Sequence, residues 1–152
     1  MSEKSIWWGG ERPSIEDLNT FSDVGLQGHV GIEFTEVGDD WIKARMPVDQ
    51  RTHQPFGRLH GGASVVLAET IGSVAATHCV DRSTSAAVGL EINANHCRPA
   101  FDGYVIATAT PFNIGRTTQI WSIRIEDEAG KLVCISRFTA AVIPTDRGRK
   151  QG

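Results

Sequence analysis

The fold turns on residues 54–79, QPFGRLHGGASVVLAETIGSVAATHC. From Leu59 to Val80 every residue is apolar, small or uncharged except two histidines, His60 and His78, and one carboxylate, Glu69. Ala63, Leu67, Ala68, Ala75 and Ala76 are good helix formers, so a helix is expected from about Gly61 to Cys79, roughly 28 Å long. It lacks a Ser or Asp cap and is apolar nearly all round, which predicts burial on every side rather than one wet face. A membrane span is the competing reading. Glu69, the internal glycines and the lack of charged flanks favour a core helix. An acid in the middle of such a helix is costly unless it is paired or kept for chemistry.

Outward from that helix, strands are expected on both sides. Upstream, PSIEDLNTF (residues 13–21) reads as a short helix that Ser14 can cap, with Asp17 in the capping-box position. HVGIEFTEVGDDWIKARMPV (residues 29–48) predicts two strands with a turn at Gly38–Asp40. In the second, Ile42, Ala44 and Met46 share one face and Trp41, Lys43 and Arg45 the other. Downstream come four strand candidates: SAAVGLEINANH (85–96), YVIATATPFNI (104–114), TTQIWSIRIED (117–127) and KLVCISRFTAAVI (131–143). The connections CRPAFDG, GR and EAG are short, which predicts an antiparallel meander of these four. About six antiparallel strands wrapped around one buried helix is an α+β arrangement, the hotdog architecture.

The bulk numbers bound the function. At 152 residues the chain is read as one domain, with residues 1–12 an N-terminal extension and 145–152 a flexible tail. A net charge of −3 gives no global field for nucleic acid or an anionic membrane, so a phosphate ligand must be met by local arginines. Cys79, Cys97 and Cys134 are widely spaced in apolar surroundings. They read as reduced, buried thiols of a cytoplasmic protein, not a disulfide scaffold or a zinc site. The N-terminus has no continuous apolar run of the signal-peptide kind.

Several residues can carry chemistry. Ser73 lies one helical turn after Glu69 on the same face. LHGG (Leu59–Gly62) sits where a loop enters the helix, and unpaired first-turn amides at the positive end of the helix dipole can stabilise a carbonyl oxygen gathering charge. Gln54 and His60 flank this loop and can orient a water or a carboxylate, or simply pack. NANHCRP (Asn93–Pro99) and GRTTQ (Gly115–Gln119) embed Arg98 and Arg116 among small polar groups, which suits phosphate but is also ordinary for surface turns. No motif for serine, cysteine, metal or P-loop chemistry is present.

Taken together, MPVDQRTHQPFGRLHGGASVVLAETIGSVAA (46–76), VGLEINANH (88–96) and GRTTQIW (115–121) resemble the hotdog-fold acyl-CoA thioesterases of the phenylacetate-pathway type. Within them the resemblance is closest to the branch holding the dihydroxynaphthoyl-CoA and enterobactin-proofreading thioesterases. It implies Glu69 as the catalytic acid, Gly61 as the oxyanion-hole amide, Gln54 as the active-site glutamine and His60 as the loop histidine. Ser73 matches the hydroxyl that helps hold the water, and His96 the strand-end histidine. Arg98 and the Gly115–Arg116–Thr117 hairpin fall where relatives contact the coenzyme A nucleotide. The resemblance further implies an acyl-CoA or acyl carrier protein thioester as substrate, and no cofactor beyond the coenzyme A of the substrate. It also implies a homodimer assembling to a homotetramer, with each site shared across the dimer interface.

Two other readings remain at this point. A hotdog dehydratase or hydratase would pair His53 or His60 with Glu69, and a non-catalytic binder would leave Glu69 unused. The glutamine at position 54 and the LHGGASVVLAE signature favour the hydrolase.

Overall fold

The computed structural model describes residues 5–146. Its elements run η1 (Trp8–Gly10), α1 (Ile15–Leu18), α2 (Gly25–Val30), β1 (Glu33–Val37), β2 (Ile42–Pro47), α3 (Gly61–His78), β3 (Ser85–His96), β4 (Tyr104–Ile114), β5 (Thr118–Asp127) and β6 (Leu132–Pro144). All six strands form one antiparallel sheet in the order β1-β2-β4-β5-β6-β3. Helix α3 packs on β2 through β6, the hotdog arrangement. Among the described residues no helix is long and apolar enough to cross a membrane.

The expected four-strand meander holds only for β4, β5 and β6. The strand after α3 pairs with β6, not β4, and forms the far edge of the sheet. Residues 97–103 then carry the chain back to the other side. A loop's length says that two strands can be neighbours, not that they are. A second correction concerns residues 29–32: the first strand starts only at Glu33, and Gly25–Val30 form a helix that Gly31 ends in a left-handed conformation, φ +76°.

The core is the inner face of the sheet against one side of α3. Ile42, Ala44 and Met46 of β2 are fully buried, as their alternation predicts, with Trp121, Ile123, Ile125, Phe138 and Ala140 beside them. On α3 the buried stripe is Ala63, Ser64, Leu67, Ala68, Ile71, Gly72, Ala75 and Ala76. The opposite stripe, including Val65, Val66, Glu69, Thr70, Ser73, Val74 and Thr77, is half-buried. In the single chain α3 is therefore not enclosed on every side. Its second apolar face remains partly open.

The two edges of the sheet differ. At the β1 edge Asn19 bonds Phe34 in both directions, its Nδ2 donating to Phe34 O and its Oδ1 accepting from Phe34 N, both at 2.9 Å. The described part of the N-terminal extension is docked: Trp7 is buried and donates from Nε1 to Gly38 O at 2.7 Å. At the other edge β3 presents twelve residues, with Val88 and Leu90 exposed. Its pairing slips between Gly89 and Glu91, a bulge at Leu90. The bulge resets the alternation, so that Ala87 before it and Ile92 and Ala94 after it all pack on the core. The expected flexible tail lies mostly outside the described residues. Thr145 is held, its N–H donating to Thr84 O at 2.9 Å.

Candidate active site

The first turn of α3 has four amides without helical partners, and the loop before it disposes of three. Gly62 N–H donates to Nδ1 of His60 at 2.8 Å. Ala63 N–H donates to His60 O at 2.9 Å, and the N–H of His60 itself donates to Thr52 O at 2.8 Å. His60 is thus the cap absent from the Ser/Asp inventory, and accepting at Nδ1 places its ring proton on Nε2 when neutral. Gly61 N–H has no partner among the described residues. It stands alone at the positive end of an 18-residue helix.

The absence of a side chain at Gly61 has a clear use. A Cβ there would come within 2.8 Å of His96 Nε2. The His96 ring therefore lies against the Gly61 backbone, brought there by the inward-facing end of β3. Gln54, Arg58, Gly61, Ser64, His96, Cys97 and Arg98 line one opening of about 350 Å³. Gln54 Oε1 accepts from Phe56 N within its own loop, which fixes the side chain at the rim. His53 Nε2–H donates to Phe101 O at 3.0 Å, a structural tie.

Glu69 is elsewhere. It is half-buried on the open stripe of α3, and burial alone raises its pKa above the ordinary glutamate value. Its carboxylate lies against β3 at Gly89, where a Cβ would meet Oε1 at 2.5 Å. Glu69 is eight steps along the helix from Gly61, about 12 Å at the helical rise. One carbonyl cannot be reached by both within one chain. Ser73, one turn further on, lines a larger groove of about 870 Å³ with Trp8, Phe21, Val74, Thr77 and Arg82.

The two arginines are also apart. Ladder partners place Thr118 level with Ala141 and Val88, whereas His96 is level with Cys134 and Ile125. Arg98 and the Gly115–Thr117 hairpin thus sit at opposite ends of the strands, more than about 20 Å from each other by strand rise. GRTTQ contains a further surprise, because Gln119 is a core residue. It is fully buried, its Nε2 donates to Ala76 O at 3.3 Å, and its Oε1 accepts from Trp121 Nε1 at 3.0 Å.

Three residues at the opening were not singled out from sequence. Ser64 reads as helix filler and Arg58 as a turn cation. Cys97, expected to be buried, is exposed at the rim. The other two thiols are buried as expected, which pushes Cys79 up to about 12 and Cys134 to about 11.

Comparison with known proteins gives this geometry a context. The family model described as the Thioesterase superfamily matches residues 56–134. The 1,4-dihydroxy-2-naphthoyl-CoA hydrolase of Escherichia coli K12 is 50% identical over 130 residues, 86% of this chain and 95% of that one. The proofreading thioesterase EntH of Cronobacter turicensis is 48% identical over 130 residues, 86% of this chain and 94% of its own length. A crystal structure of a thioesterase from Haemophilus influenzae superposes with a TM-score of 0.87 at 50% identity, covering 91% of this chain and 95% of that one.

Proposed function

The chain belongs to the thioesterase superfamily and is a thioester hydrolase, and we propose that it cleaves aromatic or medium-chain acyl-CoA at a site completed by a second copy of itself. One observation carries the shared site: Glu69 and the free Gly61 N–H both look functional yet stand about 12 Å apart on one helix. Two contacts supply the geometry that would unite them, Gly61 against His96 and Glu69 against Gly89.

Let two β3 edges pair antiparallel about Asn93. The bulge at Gly89–Leu90 of one copy then falls opposite His96 of the other, with side chains on matching faces. Glu69 of one copy arrives beside Gly61 of its partner. The half-buried stripes of the two α3 helices meet about Val65, which closes the face left open in the single chain. The same two-fold operation brings Arg98 of one copy level with the partner's Gly115–Thr117 hairpin. A nucleotide's phosphates can then lie between them.

In that site Gly61 N–H, aided by the helix dipole, polarises the thioester carbonyl and holds the oxyanion as the carbon becomes tetrahedral. The Glu69 carboxylate either attacks that carbon, expelling the thiolate to leave a mixed anhydride that water then hydrolyses, or takes a proton from a water that attacks the carbon itself. Gln54 at the rim and Ser73 on the Glu69 face orient the water. Coenzyme A leaves as a thiolate, which needs little protonation. The groove lined by Trp8, Phe21 and Val74 supports an aromatic or medium-chain acyl group, as does the dihydroxynaphthoyl group in the name of the E. coli relative. Two such dimers assembling to a tetramer, in a reducing cytoplasm, complete the reading.

Glu69→Gln should fold, with kcat for acyl-CoA hydrolysis falling at least about 10²-fold. Gln54→Ala should also be impaired. Mixing the two after dissociation and reassociation should recover up to about a quarter of parental activity, because random exchange gives each heterodimer one intact site. Thiol release, assayed on both single variants and the mixture, decides it. Full activity of Glu69→Gln overturns the catalytic role, and absence of recovery in a mixture shown to exchange overturns the shared site. For the nucleotide end, Arg98→Ala and Arg116→Ala should raise KM more than they lower kcat. Unchanged KM in both makes them ordinary surface arginines.

A further inference from the structure

Gly89 sits inside the twelve-residue strand β3, where a glycine weakens pairing and adds nothing to the core. Its backbone does not explain it. Among the described residues the positive-φ glycines are Gly9, Gly10, Gly25, Gly31, Gly57, Gly103 and Gly130, and Gly89 is not one of them. An alanine would fit its conformation without strain. Its surroundings differ from those of a structural glycine as well. At Gly28 the atoms in the way are backbone, Asp23 C at 2.5 Å, so a side chain there breaks the fold. At Gly89 the near atom is the end of a flexible side chain, Glu69 Oε1 at 2.5 Å, followed by Phe138 Cε2 at 3.3 Å and Glu69 Cδ at 3.6 Å.

Phe138 prevents the carboxylate from retreating inward. Its ring is fully buried and is pressed from below by α3, because a Cβ on Gly72 would meet Phe138 Cδ1 at 2.6 Å. Gly72, Phe138, Gly89 and the Glu69 carboxylate thus form one stack from helix to strand. The bulge immediately after Gly89 fixes the strand at this height.

We propose that Gly89 is a positioning residue of the hydrolysis, its missing side chain being the seat in which the Glu69 carboxylate rests against β3. This rests on Glu69 being the catalytic carboxylate. A methyl group at position 89 leaves the fold intact and drives the carboxylate off its seat by an ångström or so. Displacement on that scale costs about 10²-fold in rate when the displaced group is the one that reacts.

The test is Gly89→Ala, Glu69→Asp and the double variant, with Glu69→Gln as reference. Gly89→Ala should keep its melting temperature and oligomeric mass, lose about 10²-fold in kcat, and change KM for acyl-CoA less than about threefold. Shortening the acid withdraws it from the added methyl, so Glu69→Asp should cost much less in the Gly89→Ala background than in the parent. If the two losses multiply, or KM rises while kcat holds, position 89 acts on the substrate or the strand and the inference falls. Should Gly89→Ala melt early, the same change in a Glu69→Ala background separates the causes. Recovered stability identifies Glu69 as the obstructing neighbour, and no recovery assigns the glycine to the backbone and overturns the proposal. Glu69→Gln inactive beside a fully active Gly89→Ala removes only this inference. Glu69→Gln fully active removes the catalytic reading and this inference with it.

Discussion

At its first turn α3 leaves Gly61 N–H without a partner beside the His96 ring, while at its last turn the carbonyls are bonded several times over. Ser73 O accepts from Thr77 Oγ1 at 2.8 Å, Val74 O from His78 Nδ1 at 2.9 Å, and Ala76 O from both Cys79 N and Gln119 Nε2. Gln119 in turn holds the indole of the fully buried Trp121. One end of the helix keeps a donor without a partner among the described residues. At the other end side chains cap the carbonyls, and one of them, Gln119, ties the helix to β5.

The contrast breaks most visibly at Gly61. Gly61→Ala places a methyl 2.8 Å from His96 Nε2, so the ring must move and the approach to the amide narrows. We expect kcat to fall about 10²-fold with the melting temperature unchanged or raised, alanine being the better helix former. Stopped-flow thiol release and a thermal melt on one preparation check both halves. A normal kcat would mean that the free amide is incidental.

Gln119→Leu should show the opposite pattern. It removes one of the two donors to Ala76 O and leaves the buried Trp121 Nε1–H without its acceptor, at a cost of about 2–3 kcal/mol. That corresponds to a melting temperature lowered by about 5–10 °C. Turnover per folded molecule should stay within about twofold of the parent, since the site is at the other end. An activity loss without a stability loss would mean that GRTTQ serves the ligand after all.

The smallest effect is a dependence on pH at the middle of the helix. Glu69 has its pKa raised by burial, so the folded chain holds that proton more tightly than the unfolded one. Its contribution to stability is full below the unfolded carboxylate pKa and is lost as pH rises through the folded value. Glu69→Gln should therefore melt slightly above the parent at neutral pH, and the gap should close as the pH falls below the ordinary carboxylate range. Melts at a series of pH values in one ionic strength test it, and a gap that widens on acidification would reverse the sign of the argument.

The sequence was most readable where patterns are local. β3 and β4 fall on the residues that alternation and turn chemistry mark, and β5 and β6 within one residue of them. LHGG and Glu69 stand out because each breaks a local rule. What escaped depends on partners far along the chain. Nothing in CRPAFDG reports that β3 lies beside β6, and the uniform hydrophobicity of α3 hides two unequal faces. Gly25–Val30 carries two glycines, poor helix formers, and its last residues, His29 and Val30, run on into the pattern expected of the first strand. Gln119 resembles its polar neighbours until the sheet turns it toward Ala76. Arg98 and Arg116 look like one cluster in the sequence because strand ladders, which set them apart, are invisible there. His60 was counted as a candidate for chemistry, while its observed bond is a helix cap.

The open edge of β3 has a consequence for how this protein is made. A twelve-residue strand paired on one side only, without a proline and with Val88 and Leu90 exposed, is a template for any extended chain. In the proposed dimer a like copy fills that edge, and its arrival is a second-order event. Newly synthesised chains are thus at risk for a time set by their own concentration, and the melting temperature should climb with protein concentration as mass action requires. Dilution, not heat, is then the gentlest way to expose the weakness of the isolated fold.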